Sequence, residues 1–256
     1  MTIEEEEPPV LKNFLVAKSI EGLSPLTLDI YRLTLRNFFS KVNKSFLNIT
    51  TNDIRVYLFQ YKQDRKVQNS SLETIRVCIT SFFDWCITEG FPITVNPARA
   101  VNAIKQETKP RESLTPIELE YIRDACETLR EKALIDFLYS TACRVSEVVN
   151  AKISNINWQD HSILIEHGKG NKTRKTYINA ECEVSLKAYL NSRTDKEDCL
   201  FVTTRKPLHT MGKRSIEVEI NKICDRVKDK LHCHVHPHLF RHTAATIALH
   251  NGMPIE

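Results

Sequence analysis

Four positions in the second half of the chain carry side chains that belong together chemically: Arg144 in "TACRVSE", Lys169 in "GKGNKTR", and His238 with Arg241 in "HPHLFRH". Each alone has an ordinary explanation. An arginine near a helix start is commonly a surface ion-pair partner. Gly-Lys-Gly suits a solvated hairpin tip, because glycine tolerates positive φ and lysine stays in water. As a set they are the equipment of a phosphoryl-transfer site that works without a metal. Guanidinium forks bind non-bridging phosphate oxygens bidentately and stay charged, so two arginines can neutralise a pentacoordinate phosphorane. A lysine can protonate a leaving alkoxide, and a histidine can accept a proton or hold the phosphate. A nucleophile is what the set lacks.

The approach to His238 raises a rival chemistry. His232, Cys233, His234, His236 and His238 fall within seven residues and include soft and borderline metal ligands. Structural zinc sites pair clusters from two separated segments, with CxxC or HxxxH steps, and no matching second cluster occurs here. Neither a metal nor another cofactor is therefore expected. His232, His234 and His236 are read as an approach loop, and His242 as capping or packing the start of the helix that follows.

The elements that must position these residues are legible from periodicity. Val10, Leu11, Phe14 and Leu15 have helical spacing, and Leu26, Ile30, Leu33 and Phe38 continue it after Ser24 and Pro25, an N-cap followed by N1. A third helix starts with capping residues at Thr51 to Asp53. A fourth carries Leu72, Ile75, Ile79, Phe82 and Cys86 as one stripe and ends at Gly90. The first hundred or so residues thus read as a helical bundle with short loops. "KQETKPRESLTP", residues 105–116, is polar, has two prolines and lacks periodicity, which makes it a linker. Beyond it the spacing predicts helices at about 115–129 and 131–142. "HSILIEHGKGNKTRKTYIN" then reads as a β-hairpin with Gly-Lys-Gly-Asn-Lys at its tip. Next come a helix from Glu181, a short strand at "CLFV", and helices from about 213 and 238.

The totals bound the class. A length of 256 residues favours two domains, and 41% hydrophobic with 27% charged residues leaves each half enough apolar side chain for a core. No apolar run approaches a membrane span, and "MTIEEEEPP" is acidic where a secretory signal would be basic and then apolar, so a cytoplasmic location is expected. The eight cysteines are scattered without CxxC pairs and read as reduced, mostly buried thiols. Net charge is +4, and the five acidic against two basic side chains in residues 1–23 leave the remainder more basic than that total.

The three boxes resemble those of the tyrosine recombinase (phage integrase) family, and the layout is similar to that of XerC/XerD-type and transposon-borne integrases. "ACRVSEV" resembles the box of the first catalytic arginine, which places that role on Arg144 and makes Glu147 the acidic residue that orders the site. "GKGNKTRKTYI" resembles the hairpin of the catalytic lysine, Lys169, and "HPHLFRHTAAT" the His-x-x-Arg-His box, giving His238 and Arg241. The resemblance implies a mainly α fold with a small antiparallel β-sheet. Residues 1–106 would form a helical core-binding domain, 107–114 a linker, and 115–256 an α+β catalytic domain. It further implies attack by a tyrosine hydroxyl on a phosphodiester of double-stranded DNA, a 3′-phosphotyrosyl intermediate, and a homo-tetramer assembled on DNA.

The chain departs from that pattern at one point. The family's nucleophilic tyrosine lies well past the second arginine, whereas only 15 residues follow Arg241 and all seven tyrosines precede the His-x-x-Arg box. Tyr177 and Tyr189 are read as packing residues. The expectation is a chain shortened before its nucleophile, one that binds DNA without cleaving it. Basic residues for that binding gather at Lys169, Lys172, Arg174 and Lys175, at Arg205, Lys206, Lys213 and Arg214, and at Lys62, Arg65 and Lys66. A non-catalytic DNA-binding regulator on the same fold is the alternative, and a type IB topoisomerase-like enzyme would use similar chemistry in a different domain arrangement.

Overall fold

A computed structural model describes residues 8–106, 112–166 and 173–253. The chain divides into two compact units, Met1–Lys109 and Pro110–Glu256, each with its own core.

Among its described residues the first unit holds four α-helices: α1 (Pro9–Ile20), α2 (Pro25–Val42), α3 (Thr51–Arg65) and α4 (Asn69–Thr88). Their ends follow local chemistry. Gly22, at φ 86, lets the chain reverse after α1, with the N–H of Leu23 donating to the Lys18 carbonyl at 3.2 Å. Ser24 then accepts from the N–H of Thr27 at 3.2 Å, and Pro25 fills the first helical position. The predicted stripe of α4 is buried from Leu72 to Cys86. Phe82 is its hub, its ring lying edge-on to those of Phe14 at 5.4 Å and Phe39 at 5.1 Å.

The second unit is built round α6 (Leu129–Thr141), in which Ala133, Leu134, Ile135, Phe137 and Leu138 are all fully buried. A helix apolar on most sides needs cover on most sides, and α6 packs against α5 (Pro116–Asp124), α8 (Ala180–Ser192), α9 (Lys213–Asp225) and α10 (Pro237–His250). The short helix α7 (Val145–Val149) leads into a three-stranded antiparallel sheet of β1 (Ile156–Asn157), β2 (Ser162–Ile165) and β3 (Arg174–Tyr177), in that order. Ile163 pairs with Ile156 and Thr176, and Ile165 pairs with Arg174.

The fold is thus mainly helical with one small antiparallel sheet, and several boundaries differ from the sequence reading. α5 stops at Asp124, because Thr128 caps α6 and the Glu131 carboxylate accepts the N–H of Glu127 at 2.7 Å, leaving no helix over 125–128. "CLFV" forms only isolated bridges, Lys152 to Cys199 and Val202 to Thr210. Leu114, read as linker, is 2% exposed and belongs to the second core, where its N–H donates to Thr243 Oγ1 at 2.9 Å. It precedes the N-cap Thr115 and, like Leu119, is buried, the pattern of a hydrophobic staple. Tyr189 packs, its ring stacked on Phe201 at 5.7 Å, but Tyr177 is 63% exposed, because the strand's alternation turns it outward with Lys175. All eight cysteines are free.

Candidate active site

The turn between α6 and α7 gathers the charged groups. Ala142 leaves α6 at φ 49, in the left-handed region, which costs a residue with a Cβ roughly 1–2 kcal/mol. Its carbonyl accepts a hydrogen bond from Arg241 Nη1 of α10. Cys143 is buried beneath the turn, and burial pushes its thiol pKa up, so it serves as a neutral filler. Arg144 then opens α7, its side chain a third exposed.

Glu147 lies at the centre and is 3% exposed. Its carboxylate accepts the N–H of Arg144 at 2.8 Å and Arg144 Nη1 at 2.9 Å. From β3, Arg174 adds a fork, Nη1 at 2.6 Å and Nη2 at 2.7 Å. Burial raises the carboxyl pKa, but the hydrogen bonds from Arg174 and Arg144 outweigh it and hold the group at about 2. Two guanidiniums thus hold one ionised carboxylate, and a third, that of Arg241, is anchored on the carbonyl of the same turn, so these side chains are together net positive.

His238 lies one turn before Arg241 on α10, exposed and without a hydrogen-bond partner among the described residues. Its neighbour His232 is tied down instead: the N–H and Nδ1 of His232 lie 2.8 and 2.6 Å from Glu118 Oε1. Burial would raise the Glu118 carboxyl, yet the bonds from Thr115 and His232 hold it at about 2. His234 and His236 sit in the loop before α10, and His242 is half-buried in its first turns. No group of three His, Cys, Asp or Glu side chains among the described residues converges as metal ligands would.

The structure brings Arg144, Glu147 and Arg241 to one turn, with His238 on the same helix as Arg241. Lys169 and Lys172 lie outside the described residues. Of the expected phosphate contacts, Arg174 is differently engaged, since both its Nη atoms are committed to Glu147. Lys175 pairs with Asp160 and lies over the Tyr177 ring. Arg205, Lys213 and Arg214 are exposed and carry no ion pair among the described residues, the last two opening α9. In the first unit Lys62, Arg65 and Lys66 are exposed at the end of α3, where Lys62 donates to Asn69 Oδ1 at 2.8 Å.

Sequence comparison decides the family. The profile described as "Phage integrase family" matches residues 112–256, and that of the "Phage integrase, N-terminal SAM-like domain" matches residues 10–92. The chain is 31% identical over 264 residues to the tyrosine recombinase XerC of Leptospira interrogans, covering 95% of this chain and 81% of that protein. The chain belongs to the phage integrase family.

As a member of this family of tyrosine recombinases, it is also 29% identical over 250 residues to XerC of Oceanobacillus iheyensis, covering 91% of this chain and 79% of that protein. Its fold is similar to that of a lambda integrase tetramer bound to a Holliday junction, with TM-score 0.77 at 19% identity over 96% of this chain and 75% of the other. Sequence reading missed the Arg174 fork and the left-handed Ala142. The first had a signal: in "RKTYI" the even positions turn inward, ending in buried Ile178, and Arg174 is one of them.

Proposed function

We propose that this chain serves site-specific recombination of double-stranded DNA through a 3′-phosphotyrosyl intermediate, binding DNA and activating the phosphodiester, with none of its own seven tyrosines read as the nucleophile. The observation that carries this reading is the pair of guanidiniums at one turn. Arg144 has one Nη and its N–H tied to Glu147, and Arg241 has one Nη on the Ala142 carbonyl. The remaining donors of both have no hydrogen-bond partner among the described residues, which suits non-bridging phosphate oxygens.

In this reading Arg144, Arg241 and His238 stabilise the phosphorane, and Lys169 protonates the departing 5′ oxygen. A tyrosine hydroxyl makes the attack, and the covalent link conserves the bond energy for religation. Residues 115–256 would supply this catalysis and residues 1–106 the second arm on the duplex, with Lys172, Lys175, Arg205, Lys213 and Arg214 on phosphates. Assembly as a homo-tetramer on DNA, in the cytoplasm, completes the proposal. Support comes from the family membership and from the integrase tetramer of similar fold that is bound to a Holliday junction.

The test is binding of duplex DNA across a salt series. Affinity is expected to fall linearly in log–log form, because each neutralised phosphate releases counterions. Arg144→Ala and Arg241→Ala should each reduce the slope by about one. An affinity independent of salt would refute the reading.

A further inference from the structure

Arg174 stands among the basic residues of the hairpin, but its guanidinium turns inward to a carboxylate. Positions 174 and 176 of β3 are half-buried while 175 and 177 are exposed. From the inner face Arg174 places a fork on Glu147, whose two oxygens also hold Arg144 by its N–H and by Nη1. Four donors fill the acceptor sites of a carboxylate. Without Arg174, Glu147 and Arg144 would be a one-to-one ion pair, and a phosphate would meet a guanidinium already balanced by its neighbour. With Arg174 the three side chains carry a net positive charge, and Arg144 keeps Nε and Nη2 free of partners among the described residues.

We infer that Arg174 is a positioning residue for Arg144, acting through Glu147. It fixes the carboxylate that orients Arg144, and it offsets the carboxylate's charge so that Arg144 presents its full charge to the anion. The same fork joins β3, which follows the segment bearing Lys169, to the turn bearing Arg144. This inference rests on the phosphate-binding role proposed above for Arg144. It departs from the sequence expectation that Arg174 itself contacts a phosphate.

A double-mutant cycle separates the two roles for Arg174. The protein, Arg174→Gln, Glu147→Gln and the double variant are titrated with a mixed-sequence duplex over a salt series, and the Nε–Hε NMR signal of Arg144 is followed in each. Arg174→Gln is expected to lower the salt slope by about one, to weaken binding about tenfold and to shift the Arg144 signal. In the Glu147→Gln background the same change should alter neither slope nor affinity. A slope that falls equally in both backgrounds means direct phosphate contact and overturns the inference, as does a slope and Arg144 signal unmoved in either. Should Arg174→Gln fail to fold, Arg174→Lys keeps the charge without the fork. It is expected to shift the Arg144 signal, and an unshifted signal overturns the inference. If the unaltered protein binds duplex without salt dependence, the proposed function fails first and the inference falls with it.

Discussion

Glu147 shows how much one buried acid can organise. It accepts four hydrogen bonds from two arginines, and its carboxyl is held at about 2 against an ordinary value of 4.5. A folded-state pKa below the unfolded one means stability that is complete above the unfolded value and lost as pH falls toward the folded one. Melting temperature should thus decline between about pH 5 and pH 2. Glu147→Gln should flatten part of that decline while lowering stability at neutral pH, which a melt series in both proteins would check. At Ala142 the expectation has the opposite sign. Glycine there removes the left-handed penalty, roughly 1–2 kcal/mol, and loses about 0.4–1 kcal/mol to a more flexible unfolded chain, so Ala142→Gly should raise the melting temperature slightly. A lower melting temperature would show that the Cβ packs favourably. Arg144, His238 and Arg241 were read as a set because phosphate chemistry restricts residue types, and Arg144 and Arg241 do meet at one turn. The left-handed backbone at 142 was not, because alanine is ordinarily a helix former.

The elements were most legible where one local signal is strong, the Ser24–Pro25 cap of α2 and the buried stripe of α4, although of the residues read as the α2 stripe Leu26, Ile30 and Leu33 are exposed and Phe38 alone is buried. They were least legible where a short polar break interrupts apolar sequence. The gap between α5 and α6 depends on Thr128, whose side chain accepts from the N–H of Glu131 at 3.1 Å, and on the buried Glu131, which Arg226 grips at 2.8 Å. Loss of such a cap typically costs about 1 kcal/mol. Thr128→Ala should therefore shift the chemical-denaturation midpoint down without changing the slope, whereas Thr128→Ser should leave it near its original value. Hairpin strand β3 was recognised as a strand, but its inward basic residue was counted with its outward ones, since lysine and arginine usually imply solvent.

At the scale of the whole molecule, two cores share no residue. Phe82 is a hub of one and Phe137 a buried member of the other, and truncating a buried phenylalanine costs about 3–5 kcal/mol. Calorimetry should then resolve two transitions, Phe82→Ala lowering one and Phe137→Ala the other; a single transition moved equally by both would contradict independent cores. The change in periodicity near residue 105 lies close to the boundary between the two compact units, Met1–Lys109 and Pro110–Glu256, but the packing of Leu114 was not readable, because a lone leucine in a polar stretch carries no period. The ion pairs round Glu147 also bear on how this sequence can change over time. Glu147 is buried while both its arginines are a third exposed. Losing one partner therefore costs less than the roughly 3–5 kcal/mol of a fully buried pair, yet still takes a sizeable share of a stability of about 5–15 kcal/mol. Positions 147 and 174 stand 27 apart in the chain, yet with 144 they are expected to be inherited as a unit. Variants at any one of them should survive only beside a compensating change at another.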